Sequence, residues 1–170
     1  MTAKTVVPHD KTRNRLITAI VEQYPNANTE MIETQLILMD FAHFTILGAE
    51  SHFSQYGLSQ GRFAILTLLY LIDDEQWTPA RLAEAVHSKR ATVSGLLSNL
   101  QDQQMIDRYS NPEDGRSSFI KLTRKGHNAM SKVLPNHFKQ VTPLFEALTK
   151  KERIQLLDLL AKIRPAMENR

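Results

Sequence analysis

Residues 88–126 read SKRATVSGLLSNLQDQQMIDRYSNPEDGRSSFIKLTRKG. Val93, Leu96, Leu97 and Leu100 recur at helical spacing, which predicts a helix over about 89–104 with those four side chains inward. Turning them inward puts Ala91, Gly95 and Ser98 outward, flanked by Thr92 and Ser94. The outward residues are small, so this helix can approach another surface closely. Residues 105–110 and 117–122 then read as two strands around a turn at 111–116. Asp114-Gly115 supplies the positive φ angles that a tight hairpin prefers. Arg116 follows at once, at the tip.

Upstream, Thr78 caps and Pro79 opens a short helix to Val86, proline being well suited to the first helical position. His87 and Ser88 make a tight turn, and Ser88 is placed to cap the next helix. Helix, tight turn, helix and hairpin together are a helix-turn-helix followed by a β-wing. In such units the N-terminal end of the second helix meets base edges. Here that end is Ser88, Lys89 and Arg90. Arginine pairs bidentately with guanine, threonine touches a thymine methyl, and serine donates or accepts. The helix N-terminus and Thr78 can donate to phosphate oxygens. A wing-tip arginine suits a narrow minor groove, where the negative potential is enhanced.

Working outward, Asp10 and Pro25 bound a first amphipathic helix carrying Leu16, Ile17, Ile20, Val21 and Tyr24. A second helix runs from about Thr29 to Ser54, capped by Asn28 or Thr29. Its apolar residues go almost all the way round, which predicts burial on several sides, a partner subunit among them. A third helix starts at the cap Ser59 and stops near Asp73, and Trp77 lies in a short extended piece. Thr123 caps a helix that Pro135 and Pro143 are expected to kink or break. Thr149-Lys-Lys-Glu152 is a capping box. It opens a last helix with Ile154, Leu157, Leu160, Ile163 and Met167 on one stripe.

The chain has 170 residues, no cysteine and 42% hydrophobic residues. That suffices for a folded core and excludes disulfides and thiolate metal sites. Residues 78–126 hold eight Lys/Arg against five Asp/Glu, so the whole net charge of +3 falls in the segment with the hairpin. A local basic surface attracts a polyanion through counterion release. The N-terminus lacks a signal-type apolar core, and no run approaches the ~18 apolar residues of a membrane span. The expectation is a cytoplasmic protein with no membrane partner.

The residues around the hairpin resemble the MarR (multiple antibiotic resistance regulator) family. The matching features are Thr92-Val93-Ser94 in the second helix and Arg108 at the end of the first wing strand. Asp114-Gly115-Arg116 and the ending Leu122-Thr123-Arg124-Lys125-Gly126 complete them. The resemblance implies a mainly α fold with a small β-wing, a winged helix-turn-helix with N- and C-terminal dimerisation helices. Residues 59–122 would be the winged region, 29–58 and 123–170 the dimerisation helices, and 1–28 an N-terminal extension. It implies a homodimer on a pseudo-palindromic operator in double-stranded DNA, usually repressing transcription. The implied DNA-contacting set adds Arg108 and Asp114 to the residues named above. Many members release DNA when a small organic molecule, often phenolic or anionic, binds between the dimer helices and the winged domain. No cofactor is implied.

Two departures stand out. Position 95 is commonly a larger polar or basic residue in the family, and here it is glycine. Residues 1–28 are absent from many members. Some members with an added N-terminal helix bind urate-like ligands, but the tryptophan expected there is missing, so that ligand is not carried over.

Other functions find less support. There is no HExxH, no phosphate-binding glycine loop and no nucleophile elbow, so an enzyme is not expected. Asp40, His43, Glu50 and His52 raise a zinc-responsive regulator as one alternative. A winged protein-protein adaptor is the other, although an adaptor has no need of Lys89, Arg90 and Arg116 on one surface. For an organic effector the candidates are His43, Phe44 and Arg62. Arg62 sits in the first turn of its helix, where the dipole disfavours a cation and an anion would relieve the cost.

Overall fold

The computed structural model describes residues 10–72, 76–110 and 118–168. Its elements are α1 (Asp10–Gln23), α2 (Thr29–Ser54), α3 (Gln60–Leu71), α4 (Pro79–Ala85), α5 (Arg90–Asp102), β1 (Ile106–Ser110), β2 (Ser118–Leu122), α6 (Arg124–Leu144) and α7 (Lys150–Glu168). The chain divides into two compact units, Met1–Gln60 and Gly61–Arg170.

In the first unit α1 packs on α2. Asn28 caps α2, its side chain accepting from the Met31 amide at 3.0 Å. Gly57 ends it at φ +68°, with Gly57 N donating to Ser54 O and Leu58 N to Phe53 O. That paired closure needs a left-handed residue, which glycine supplies without strain. Within α2 itself only His52 and Phe53 are buried, while Phe41 and Phe44 are 69% and 64% exposed. The sequence predicts burial on several sides. The described residues do not supply enough neighbours to cover an apolar surface that runs round the helix.

The second unit is built around α5. Val93, Leu97 and Leu100 are fully buried with Leu66, Leu82, Ile106, Ile120 and Met130. β1 and β2 pair antiparallel, with Ile106 opposite Leu122 and Arg108 opposite Ile120. The extended piece at Trp77 joins the other edge of β2, its carbonyl accepting from Ile120 N at 2.7 Å. The Trp77 indole N–H donates to Ile72 O, and the Arg81 guanidinium lies over the ring at 5.3 Å.

α4 starts as expected, with the Thr78 hydroxyl accepting from Arg81 N and Pro79 in the first turn. It ends with His87 at φ 47°, His87 N donating to Glu84 O and Ser88 N to Ala83 O. This is the tight turn between the two helices. It also corrects the cap of α5: Lys89, not Ser88, occupies that position, and no side chain caps it. The Ser88 amide closes α4, and Ser88 stands one residue before the cap position. α6 runs through Pro135 rather than breaking there. Met130, Val133 and Leu134 are buried just before the proline and hold the helix in place. Pro135 and Ser131, whose carbonyl loses its partner, are both exposed, so water can satisfy that carbonyl.

The capping box at α7 is present. Glu152 accepts from the Thr149 amide at 2.7 Å and from its hydroxyl at 2.8 Å, and Glu152 N donates back to Thr149 Oγ1. The backbone hydrogen bond first, and then the hydroxyl bond, hold the Glu152 pKa below its ordinary value of 4.5. A depressed carboxylate stabilises the fold above its unfolded pKa, and the gain fades as pH falls through the folded value. Thr149→Ala removes the hydroxyl bond and keeps the amide one, so it is expected to raise the Glu152 pKa only part of the way back towards 4.5, read from its side-chain carboxyl shift in an NMR titration. A wild-type carboxyl that already titrates at 4.5 would mean the box does not form in solution.

Candidate nucleic-acid interface

One face of α5 carries the residues chosen from sequence. Lys89, Arg90, Ala91, Thr92, Ser94, Gly95 and Ser98 are all exposed, and Ser88 is half-buried at the turn. Leu96, expected inward, is half-buried, because it lies at the edge of the core stripe where it meets Gly61. Since Lys89 makes no side-chain cap, the first amides of α5 keep their outward positive end beside two cations.

Gly95 is the informative residue of this face. A Cβ there would meet no atom within 4 Å. Glycine inside a helix costs roughly 0.5–1 kcal/mol relative to alanine. Among the described residues nothing packs against this position to require that cost.

The C-terminal end of α5 is fastened by the Leu122-to-Gly126 segment. α5 closes with Gln104 at φ 56°, and Met105 N donates to Leu100 O. The Thr123 hydroxyl donates to Gln104 O at 2.7 Å and accepts from Gly126 N at 3.0 Å, so it caps α6 and anchors α5 together. Lys125 Nζ donates to Gln103 O. Gly126 lies so close to the Met105 carbonyl that a Cβ would stand 2.2 Å from its oxygen.

Arg108 is exposed on β1, and its Nε donates to Gln101 Oε1 at 2.8 Å. Asp114 and Arg116 at the expected wing tip lie outside the described residues. Arg62 is half-buried and donates from Nη1 to Asn99 Oδ1 at 2.8 Å, a contact that sequence spacing does not reveal. His43 and Phe44 meet edge-on in the first unit, 5.8 Å between ring centres. An open groove of about 650 Å³ at the α1–α2 elbow, lined by Ile20, Tyr24, Pro25 and Ile32 among others, includes neither of them. Asp40, His43, Glu50 and His52 form no metal cluster: among the described residues no three His, Cys, Asp or Glu side chains are grouped to hold an ion. No helix among those residues is long and apolar enough to cross a membrane.

Comparison with known proteins gives concordant results. The family model described as MarR family matches residues 58–118. The HTH-type transcriptional repressor YetL of Bacillus subtilis is 31% identical over 147 residues, spanning 86% of this chain and 88% of the relative. The transcriptional repressor MprA of Escherichia coli is 27% identical over 107 residues, 63% of this chain and 61% of that one. Among solved structures, Staphylococcus aureus MepR in complex with DNA superposes with a TM-score of 0.73 at 23% identity, covering 78% of this chain and 96% of MepR. AbsC, a MarR family regulator from Streptomyces coelicolor, superposes at 0.71 with 18% identity, covering 98% of this chain and 100% of AbsC. These two likenesses establish the winged-helix fold.

Proposed function

The chain belongs to the MarR family, and from that membership we propose that it is a homodimeric repressor that reads a pseudo-palindromic operator in double-stranded DNA and lets go when a small organic effector binds. The observation that carries the DNA reading is the exposed α5 face, small from Ala91 to Ser98 and basic at Lys89 and Arg90. Side chains this short let the helix backbone sink into a major groove while the cations meet phosphate or guanine. Thr78, Ser88 and Arg108 complete the proposed contacts among the described residues, and Asp114 and Arg116 are proposed with them from the sequence. The names of YetL and MprA support repression as the outcome.

Homodimerisation is supported by apolar surface that the single chain leaves open. On α7, Leu157 and Met167 are 66% and 72% exposed, on the same stripe as Ile154, Leu160 and Ile163. Apolar stripes of that extent mark association surfaces. For the effector, Arg62 is the proposed anion contact, and His43 and Phe44 stay the candidates named from the sequence. An anion would compete with Asn99 for the Arg62 guanidinium.

The test turns on Gly95. Gly95→Ala is expected to raise thermal stability, by about 0.5–1 kcal/mol, and to weaken binding to DNA selected by the wild-type protein. The two opposite signs are read by a thermal melt and by fluorescence anisotropy on the selected and on random sequence. A variant that gains stability and binds selected DNA as wild type does would remove α5 from the groove.

A further inference from the structure

Two arginines grip α5 from opposite sides. Arg62 of α3 donates to Asn99, and Arg108 of β1 donates to Gln101, both at 2.8 Å. Asn99 and Gln101 are two residues apart on a helix of 3.6 residues per turn, so they project about 160° apart. Neither is on the buried stripe of Val93, Leu97 and Leu100, and both are exposed. We infer that these two arginine–amide bonds set the rotation of α5 about its own axis and thereby decide which of its small side chains face the bases.

The physical reason lies in the difference between the two kinds of contact. Burial of three aliphatic side chains draws α5 onto the core, but the hydrophobic effect is non-directional. A guanidinium is a planar fork with donors in fixed directions. One such fork on each flank resists turning in either sense. Position along the axis is fixed separately at the C-terminal end by Lys125 on Gln103 O and Thr123 on Gln104 O. On the α3 side Leu96 lies close over Gly61, where an added Cβ would stand 3.0 Å from Leu96 Cδ1. The readout face is made of short side chains, which cannot reach round to recover a base edge after the helix turns. Its dependence on rotation is correspondingly steep.

Arg62 and Arg108 are thus positioning residues for sequence reading, and this inference rests on the DNA-binding function proposed above. It also separates two roles for Arg108. A phosphate contact would add about 0.9 to the salt slope. A clamp would leave the slope alone and act on specificity.

The experiment uses the full-length protein. The wild type selects its preferred sequence from a random duplex library, and anisotropy across a salt series gives affinities for that sequence and for random DNA. Asn99→Ala and Gln101→Ala break the two bonds without changing charge, and a thermal melt verifies that both variants fold. Each is expected to lower the selected-to-random ratio by about tenfold, the cost of one lost base contact, with random-DNA affinity and salt slope unchanged. Arg62→Met combined with Asn99→Ala is expected to lower the ratio no further than the more damaging of the two single changes.

Ratios within about twofold of wild type, within the usual reach of an ordinary surface substitution, would overturn the clamp. Equal losses on both DNAs would overturn it as well. A wild-type protein that enriches no sequence would overturn the clamp together with the function it rests on. If Asn99→Ala or Gln101→Ala fails to fold, Asn99→Ser and Gln101→Met carry the same comparison.

Discussion

Replacing Gly126 with alanine is expected to destabilise the protein by about 3 kcal/mol, at the upper end of the cost of over-packing. The added methyl would lie 2.2 Å from the Met105 carbonyl oxygen and 2.9 Å from Leu122 Cδ2. The leucine tip can rotate. The carbonyl is held, because it accepts from Thr123 N at 3.0 Å in the junction that also caps α6. Accommodating the methyl means pulling α6 off the end of α5. At fixed protein concentration the melting temperature should fall by roughly 6–12 °C for a chain of this size. A melt within two degrees of wild type would mean that the α6 start does not pack on Met105 as described. The contrast with Gly95→Ala, where stability should rise, guards against a general effect of removing a helical glycine.

The second large effect is on DNA. Lys89→Ala combined with Arg90→Ala is expected to lower affinity for the selected sequence by about two orders of magnitude near physiological salt. It should also reduce the slope of log K against log salt by about two, one for each phosphate charge no longer neutralised. Arg116→Ala, assayed in the same series, should reduce the slope by about one. If Arg90 reads guanine instead of phosphate, its share appears as a lost specificity ratio with a smaller change in slope. Unchanged affinity and slope in the double variant would show that the N-terminal end of α5 does not touch DNA. Both side chains are exposed, so the loss should come without a change in melting temperature.

Much of the second unit is legible in its sequence because its signals are local. Val93, Leu97 and Leu100 repeat at helical spacing, and all three are buried. Thr78 with Pro79, Thr123, and Thr149 with Glu152 each mark a helix start by a hydrogen bond spanning three residues. Ser88 misleads for an equally local reason. It has the chemistry of a cap, but the His87 turn places it one residue before the cap position, which Lys89 occupies. Pro135 does not break α6, because the cost of an interior proline depends on whether the helix is held by packing and whether water reaches the freed carbonyl. The family motif ending in Gly126 is visible as a pattern, yet its cause, the Met105 carbonyl beneath it, is a contact across 21 positions.

The sequence by itself determined the order of elements, the inward and outward faces of α5, and the family. Periodicity, caps and turn residues act within a few positions of the chain, so a linear reading captures them. Only the tertiary structure decided how α5 is held. Arg62 meets Asn99 across 37 positions, and Trp77 joins the edge of β2 at Ile120. It also decided that Gly95 is open among the described residues while Gly126 is crowded. Two glycines of one helical type in the sequence differ only in what the folded chain brings beside them, and that is set by long-range packing.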